Sequence, residues 1–170
     1  TAFSHIIDWV LGDPALEDYQ DKNHKDIIFN SDVPEILLRF GINAEKIVNL
    51  ERYSLLERKS PNLCADRLDY AFREFYYWAN PQAVNPCMNG LLVHKGKIVF
   101  NSKELAEQFS RNYLMLQTGH WGSTDVILRF YLFSRVLKFA LNENIIAIQD
   151  FYKDDRHIME KLKACRNSKI

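Results

Sequence analysis

Cys64-Ala65-Asp66-Arg67-Leu68-Asp69-Tyr70-Ala71-Phe72-Arg73-Glu74 threads charged side chains through apolar positions at helical spacing, and its reading sets both fold and site. Ser60 reads as an N-cap with Pro61 at the first helical position, which predicts a helix from there to about Trp78 or Ala79, before Asn80-Pro81 ends it. Asp66, Asp69, Tyr70 and Arg73 recur at three- and four-residue steps, so the pattern places them along one face. Leu63, Leu68, Phe72, Phe75 and Tyr76 are expected to cover the neighbouring faces and partly enclose that polar stripe. A solvated face in which Asp66 and Asp69 pair with Arg67 and Arg73 is the plainer alternative. Two carboxylates enclosed together, by contrast, call for a cation between or beside them.

The chain opens on a second signal. In Thr1-Ala2-Phe3-Ser4-His5-Ile6-Ile7-Asp8-Trp9-Val10, His5 and Asp8 stand three residues apart on a helical pattern, so the carboxylate can orient the imidazole and raise its basicity. A histidine so held is a candidate proton donor.

Together the two segments resemble the HD-domain superfamily of metal-dependent phosphohydrolases, in particular its deoxynucleotide triphosphohydrolase-like branch. Phe3-Ser4-His5 and Asp66-Arg67-Leu68-Asp69-Tyr70 match that pattern in order. The resemblance implies that Asp66 is a metal ligand and that Tyr70, Arg73 and Glu74 face the substrate. It implies that His5 is an active-site histidine with Asp8 as its orienting partner, and that His24, in Asn23-His24-Lys25-Asp26, is a second one, with Lys25 where relatives carry a glutamate. The implied cofactor is a divalent ion, with manganese, magnesium, iron, zinc and nickel not distinguished. The implied substrate is a small phosphate ester or nucleotide. Such a reaction wants a cation to neutralise phosphate oxygens, an activated water, and an arginine fork to hold the phosphate.

In that family a histidine ligand and a His-Asp pair precede the Phe-Ser-His segment, whereas His94, His120 and His157 here are followed by Lys95, Trp121 and Ile158. The opening at Thr1, without methionine and in mid-pattern, reads as that of a fragment lacking its N-terminal metal-binding segment. The 170 residues alone are expected to hold little or no metal and to release no phosphate, and the parent protein to do both. The alternative is a non-catalytic helical interaction or regulatory module on the same scaffold.

Global properties fit this picture. A length of 170 residues with 47% hydrophobic content suits a single domain spanning 1–170, and zero formal charge offers no electrostatic case for nucleic acid or membrane surfaces. Cys64, Cys87 and Cys165 form neither CxxC nor an even set, so a disulfide framework is not expected and a reducing cytoplasm is the expected home. No apolar run reaches the ~18 residues of a membrane helix. A homo-oligomer is compatible with the apolar content.

Helical periodicity dominates elsewhere. Gly12-Asp13-Pro14 closes the first helix, a polar stretch follows to Asp21, and His24 lies on a helix through Phe29. Ser31 to Glu35 reads as a capped start for a short helix ending at Gly41, Asn43 or Ala44 opens another through Val48, and Tyr53 to Glu57 is weakly helical. Leu91-Leu92-Val93-His94 and Lys97-Ile98-Val99-Phe100 flank Lys95-Gly96 as a hairpin, leaving His94 at the surface. Ser102 opens a helix to about Gln117, with Arg111 read as a surface residue rather than a phosphate anchor. Gly119-His120-Trp121-Gly122 reads as a glycine-bracketed loop. Thr124 to Asn142 is expected to be a central apolar helix, and Ile145 to Tyr152 and Asp154 to Cys165 two more, with His157 solvated. The fold class is therefore mostly α, an HD-domain-like helical bundle with one small β-hairpin near residues 91–100.

Overall fold

The structure, a computed structural model, describes residues 2–59 and 61–165. It is mostly helical with one two-stranded antiparallel sheet. In chain order the elements are α1 (Ile7–Leu11), α2 (Tyr19–Phe29), α3 (Val33–Arg39), α4 (Ala44–Ile47), α5 (Ala65–Trp78), α6 (Pro81–Asn89), β1 (Leu91–His94), β2 (Lys97–Phe100), α7 (Lys103–Leu116), α8 (Thr124–Asn142) and α9 (Asp155–Ala164). Single 3-10 turns occur at Leu50–Arg52 and Ile148–Tyr152, and a π-helical turn at Gln117–Trp121. The described residues between 1 and 48 and between 127 and 170 form one compact unit, and those between 49 and 126 form another.

In the first unit, Ile7, Leu137, Ala140, Ile146, Phe151 and Ile158 make the core. The helix expected from the chain's first residues begins only at Ile7, because Phe3 adopts a left-handed φ of 51° and residues 2–6 turn. That turn is tied down at its start: the Ala2 N–H donates to Phe151 O at 2.9 Å and the Phe3 N–H to Asp155 Oδ1 at 2.8 Å. α8 has the predicted bounds, but it packs by its second half. Leu137 and Ala140 are fully buried, whereas Ile127, Leu128, Tyr131 and Leu132 are exposed. The segment expected as a helix over 145–152 is only a 3-10 turn from Ile148, with the buried Asp150 accepting the Ala147 N–H at 2.7 Å.

Asp150 also binds His157 Nε2 at 2.7 Å and Lys161 Nζ at 2.6 Å, so His157 is a partner of this carboxylate rather than a solvated side chain. Burial pushes the Asp150 carboxyl up, but the Ala147 N–H, the Lys161 ammonium and the His157 ring outweigh it and hold the group down at about 2. A carboxyl lowered on folding stabilises above its unfolded range and loses that contribution as pH falls through the folded value. Asp150→Asn should therefore cost about 2 kcal/mol at neutral pH, with the difference from wild type closing between about pH 5 and 2. Urea titrations of both proteins across that range check it.

In the second unit, α5 turns Leu68, Ala71, Phe72 and Phe75 inward, where Phe72, Phe75 and Phe109 of α7 meet at centroid distances of 5.2–5.9 Å. α5 starts at Ala65, later than expected from Pro61; Ser60 lies outside the described residues. The N–H groups of Ala65 and Asp66 are met by the carbonyls of Leu55 and Leu56 at 2.8 and 3.1 Å, so the first turn takes its partners from another segment rather than from a local cap. Asn80 and Pro81, which stop α5, also start α6: the side-chain oxygen of Asn80 accepts the Gln82 N–H at 3.1 Å.

The hairpin follows the expected register, Leu91 opposite Phe100 and His94 opposite Lys97. Lys95 and Gly96 both take positive φ, 48° and 70°, the backbone of a two-residue turn whose twist suits the strands. Ser102 caps α7 through the Leu105 N–H at 3.2 Å. The expected loop at Gly119–Gly122 is instead a π-helical turn, closed by a Gly122 N–H to Gln117 O bond of 2.8 Å.

Candidate functional site

The polar residues of α5 do not share one face. At about 100° per residue, the buried Leu68, Ala71, Phe72 and Phe75 define the inner side, and Asp66, Asp69 and Arg73 fall opposite it, exposed. Asp69 and Arg73 form an ion pair one turn apart at the surface. Tyr76 is exposed as well, so the expected enclosure of an Asp66–Asp69–Arg73 stripe is not found; the core face of the helix is too narrow to reach round it.

A second stripe, Arg67, Tyr70, Glu74 and Trp78, flanks the core and faces α7 and the π-helical turn. The Tyr70 and Tyr113 hydroxyls are 3.0 Å apart, and both rings pack edge-on against Trp121 at 5.5 and 5.2 Å. Burial, then the bond to Tyr113, drives the Tyr70 phenol far above its ordinary range, so it stays protonated. Glu74 Oε2 lies 3.2 Å from His120 Nε2, and the His120 ring stacks on Trp78 at 4.7 Å.

Arg67 is half-buried. Its Nη1 donates to the carbonyls of Asn62 and Arg58, the latter at 3.2 Å, and touches Cys64 Sγ at 3.4 Å. Burial disfavours its charge, but the Cys64 thiol and the Tyr70 and Tyr113 hydroxyls outweigh this and keep the guanidinium more firmly protonated than usual. Among the described contacts no carboxylate pairs with it. It borders a cleft of about 450 Å³ whose walls include Leu63, Phe100, Phe109, Tyr113 and Leu114. A retained cation without a counter-charge, beside an aromatic-walled cleft, is suited to an anion that brings an apolar body.

In the first unit, His5 is exposed and stacks over Phe130 at 6.4 Å. Asp8 is buried, and its Oδ1 accepts the Tyr19 N–H at 2.8 Å; it caps the start of α2, where Asp18 makes no side-chain cap bond. His24 lies on α2 with Nε2 shielded and without a hydrogen-bond partner.

Among the described residues, no group of three or more His, Cys, Asp and Glu side chains could hold a metal ion. The described donors therefore do not fit a divalent ion by themselves, Asp66 included. Among the same residues, no helix is long and apolar enough to cross a membrane.

Arg67, Trp78, Tyr113, His120 and Trp121 are the residues sequence reasoning passed over. The signal was present in the steps of three, four and four that join Arg67, Tyr70, Glu74 and Trp78.

The chain is 31% identical over its full length to the uncharacterised protein YdhJ of Bacillus subtilis, of which it spans 53%. Over 74 residues, 44% of the chain, it is 38% identical to the metal-dependent phosphohydrolase cns2 of Cordyceps militaris, of which it spans 21%. The chain is thus similar in part to a metal-dependent phosphohydrolase, and it spans about half or less of the curated relatives it matches. No family model matches it, and no solved structure does.

Proposed function

We propose that the whole protein is a metal-dependent phosphohydrolase of HD type, acting on a small phosphate ester of the nucleotide class, with α5 as its site-bearing helix. The observation that carries this reading is Arg67: half-buried, charged, joined by described contacts to neutral groups, and lining a cleft. A phosphate supplies the missing negative charge, and a guanidinium meets two of its oxygens with parallel N–H donors. The likeness to the Cordyceps phosphohydrolase supports the same chemistry.

Within this reading Arg67 binds the phosphate. Tyr70, held neutral beside Tyr113, donates to a substrate oxygen, and the apolar walls of the cleft take the body of the ester. Glu74 meets the substrate at its far edge, and Arg73 is a secondary contact available from the solvent side. Asp66 would be one ligand of a divalent ion in the whole protein, and such an ion would supply charge neutralisation and an activated water. In the first unit, taken by itself, His5 and His24 are the proposed acid–base histidines, His5 exposed and His24 on α2. Asp8 fixes the backbone between them by capping α2.

Phosphate release by the whole protein, supplied with manganese and a panel of nucleotides and p-nitrophenyl phosphate, tests the assignment. Arg67→Gln keeps a donor for the Asn62 and Arg58 carbonyls but removes the charge, so KM should rise about tenfold or more, some 1.4 kcal/mol. An unchanged KM would remove Arg67 from the site. Absence of release from every ester would favour the alternative of a helical interaction module, to which the exposed Ile127, Leu128, Tyr131 and Leu132 of α8 also point.

A further inference from the structure

We propose that Glu74, His120 and Trp78 form a proton-operated latch that fastens the π-helical turn between α7 and α8 onto the end of α5. Three observations meet at this point. Glu74 Oε2 is shut away from solvent and has no hydrogen-bond partner, although His120 Nε2 lies 3.2 Å from it. The imidazole rests on the Trp78 indole at 4.7 Å with planes 21° apart. His120 sits on the widened turn whose Gln117 carbonyl reaches on to the Gly122 N–H.

With a neutral imidazole the shielded carboxylate has no counter-charge beside it, an arrangement that costs free energy. A proton on the ring turns the same contact into an ion pair and sets a cation on the indole face, and each gain is available only to the charged form. The charged or titratable group that meets the ring from α5 is Glu74. Arg67 and Tyr70 of that helix, with Tyr113 of α7, engage one another instead. Closing the latch fixes Trp78, the last residue of α5, against the turn, while opening it frees the turn that leads into α8.

Thermal unfolding of the 170-residue chain and its Glu74→Gln variant at pH 5.5 and 8.5 tests this. The latch predicts that wild type melts several degrees above Glu74→Gln in acid and level with it, or below it, in alkali. His120→Gln should erase that pH dependence. Trp78 gives an independent readout, because a protonated imidazole stacked on an indole quenches its fluorescence. The emission of wild type minus that of Trp78→Phe should be lower at pH 5.5 than at pH 8.5, and should be the same at both in His120→Gln. A wild type to Glu74→Gln difference independent of pH, or a fluorescence step that survives in His120→Gln, would overturn the proposal.

Discussion

Replacing Phe75 by alanine is expected to remove about 3–5 kcal/mol of stability from the unit that carries the proposed site. Phe75 is fully buried and shares its cavity with two other rings, meeting Phe72 edge-on at 5.9 Å and Phe109 at 5.2 Å. Removal of the ring takes away its transfer free energy and leaves a void in the cluster it shares with Leu68, Ala71 and Leu116, which α5 and α7 cannot close without moving the stripe on their flank. The loss should therefore appear twice: as a lower urea midpoint by circular dichroism, and as a change in the near-ultraviolet signal of Tyr70, Tyr113 and Trp121. A cost below about 1 kcal/mol would mean that these rings do not form the packed centre of the unit.

The elements that sequence made legible are those whose partners are local. Lys95-Gly96 between two β-rich runs defines its own turn, and Ser102 and Asp154 each cap a helix by accepting the N–H three residues ahead. Elements that depend on distant partners were misplaced. α5 starts at Ala65 because Leu55 and Leu56 supply carbonyls to its first turn, and α1 starts at Ile7 because Phe151 and Asp155 hold the preceding turn. Asn80-Pro81 reads only as a stop for α5, yet the same pair caps and opens α6, which continues through Pro86. The π-helical turn was hidden by its glycines, and His157 looked solvated because Asp150 lies on a different element.

The placement of the candidate residues was legible to the level of the helix and not of the face. Asp66, Tyr70, Arg73 and Glu74 all lie on α5 as read. Which of them points where depends on the inner side chosen by Leu68, Ala71, Phe72 and Phe75, and a shift of one residue in that choice turns the helix by about 100°. In the sequence Arg67 figures only as an ion-pair partner in the plainer alternative, since only the packing of Tyr113 and the Asn62 carbonyl beside it reveals a cation held without a described carboxylate.

The other change of large effect concerns the proposed ligand role of Asp66. In the whole protein, Asp66→Ala should lower bound divalent metal and reduce phosphate release about a hundredfold or more, since loss of a ligand weakens both the retention of an ion and the activation of its water. The fold should survive, because Asp66 is exposed and its N–H bond to Leu56 belongs to the backbone. The decisive measurement is the metal content of purified whole protein, wild type beside Asp66→Ala, with phosphate release followed on the same samples. The account predicts a metal-loaded, active wild type and a folded variant depleted of both; equal metal and equal turnover in the two would contradict it.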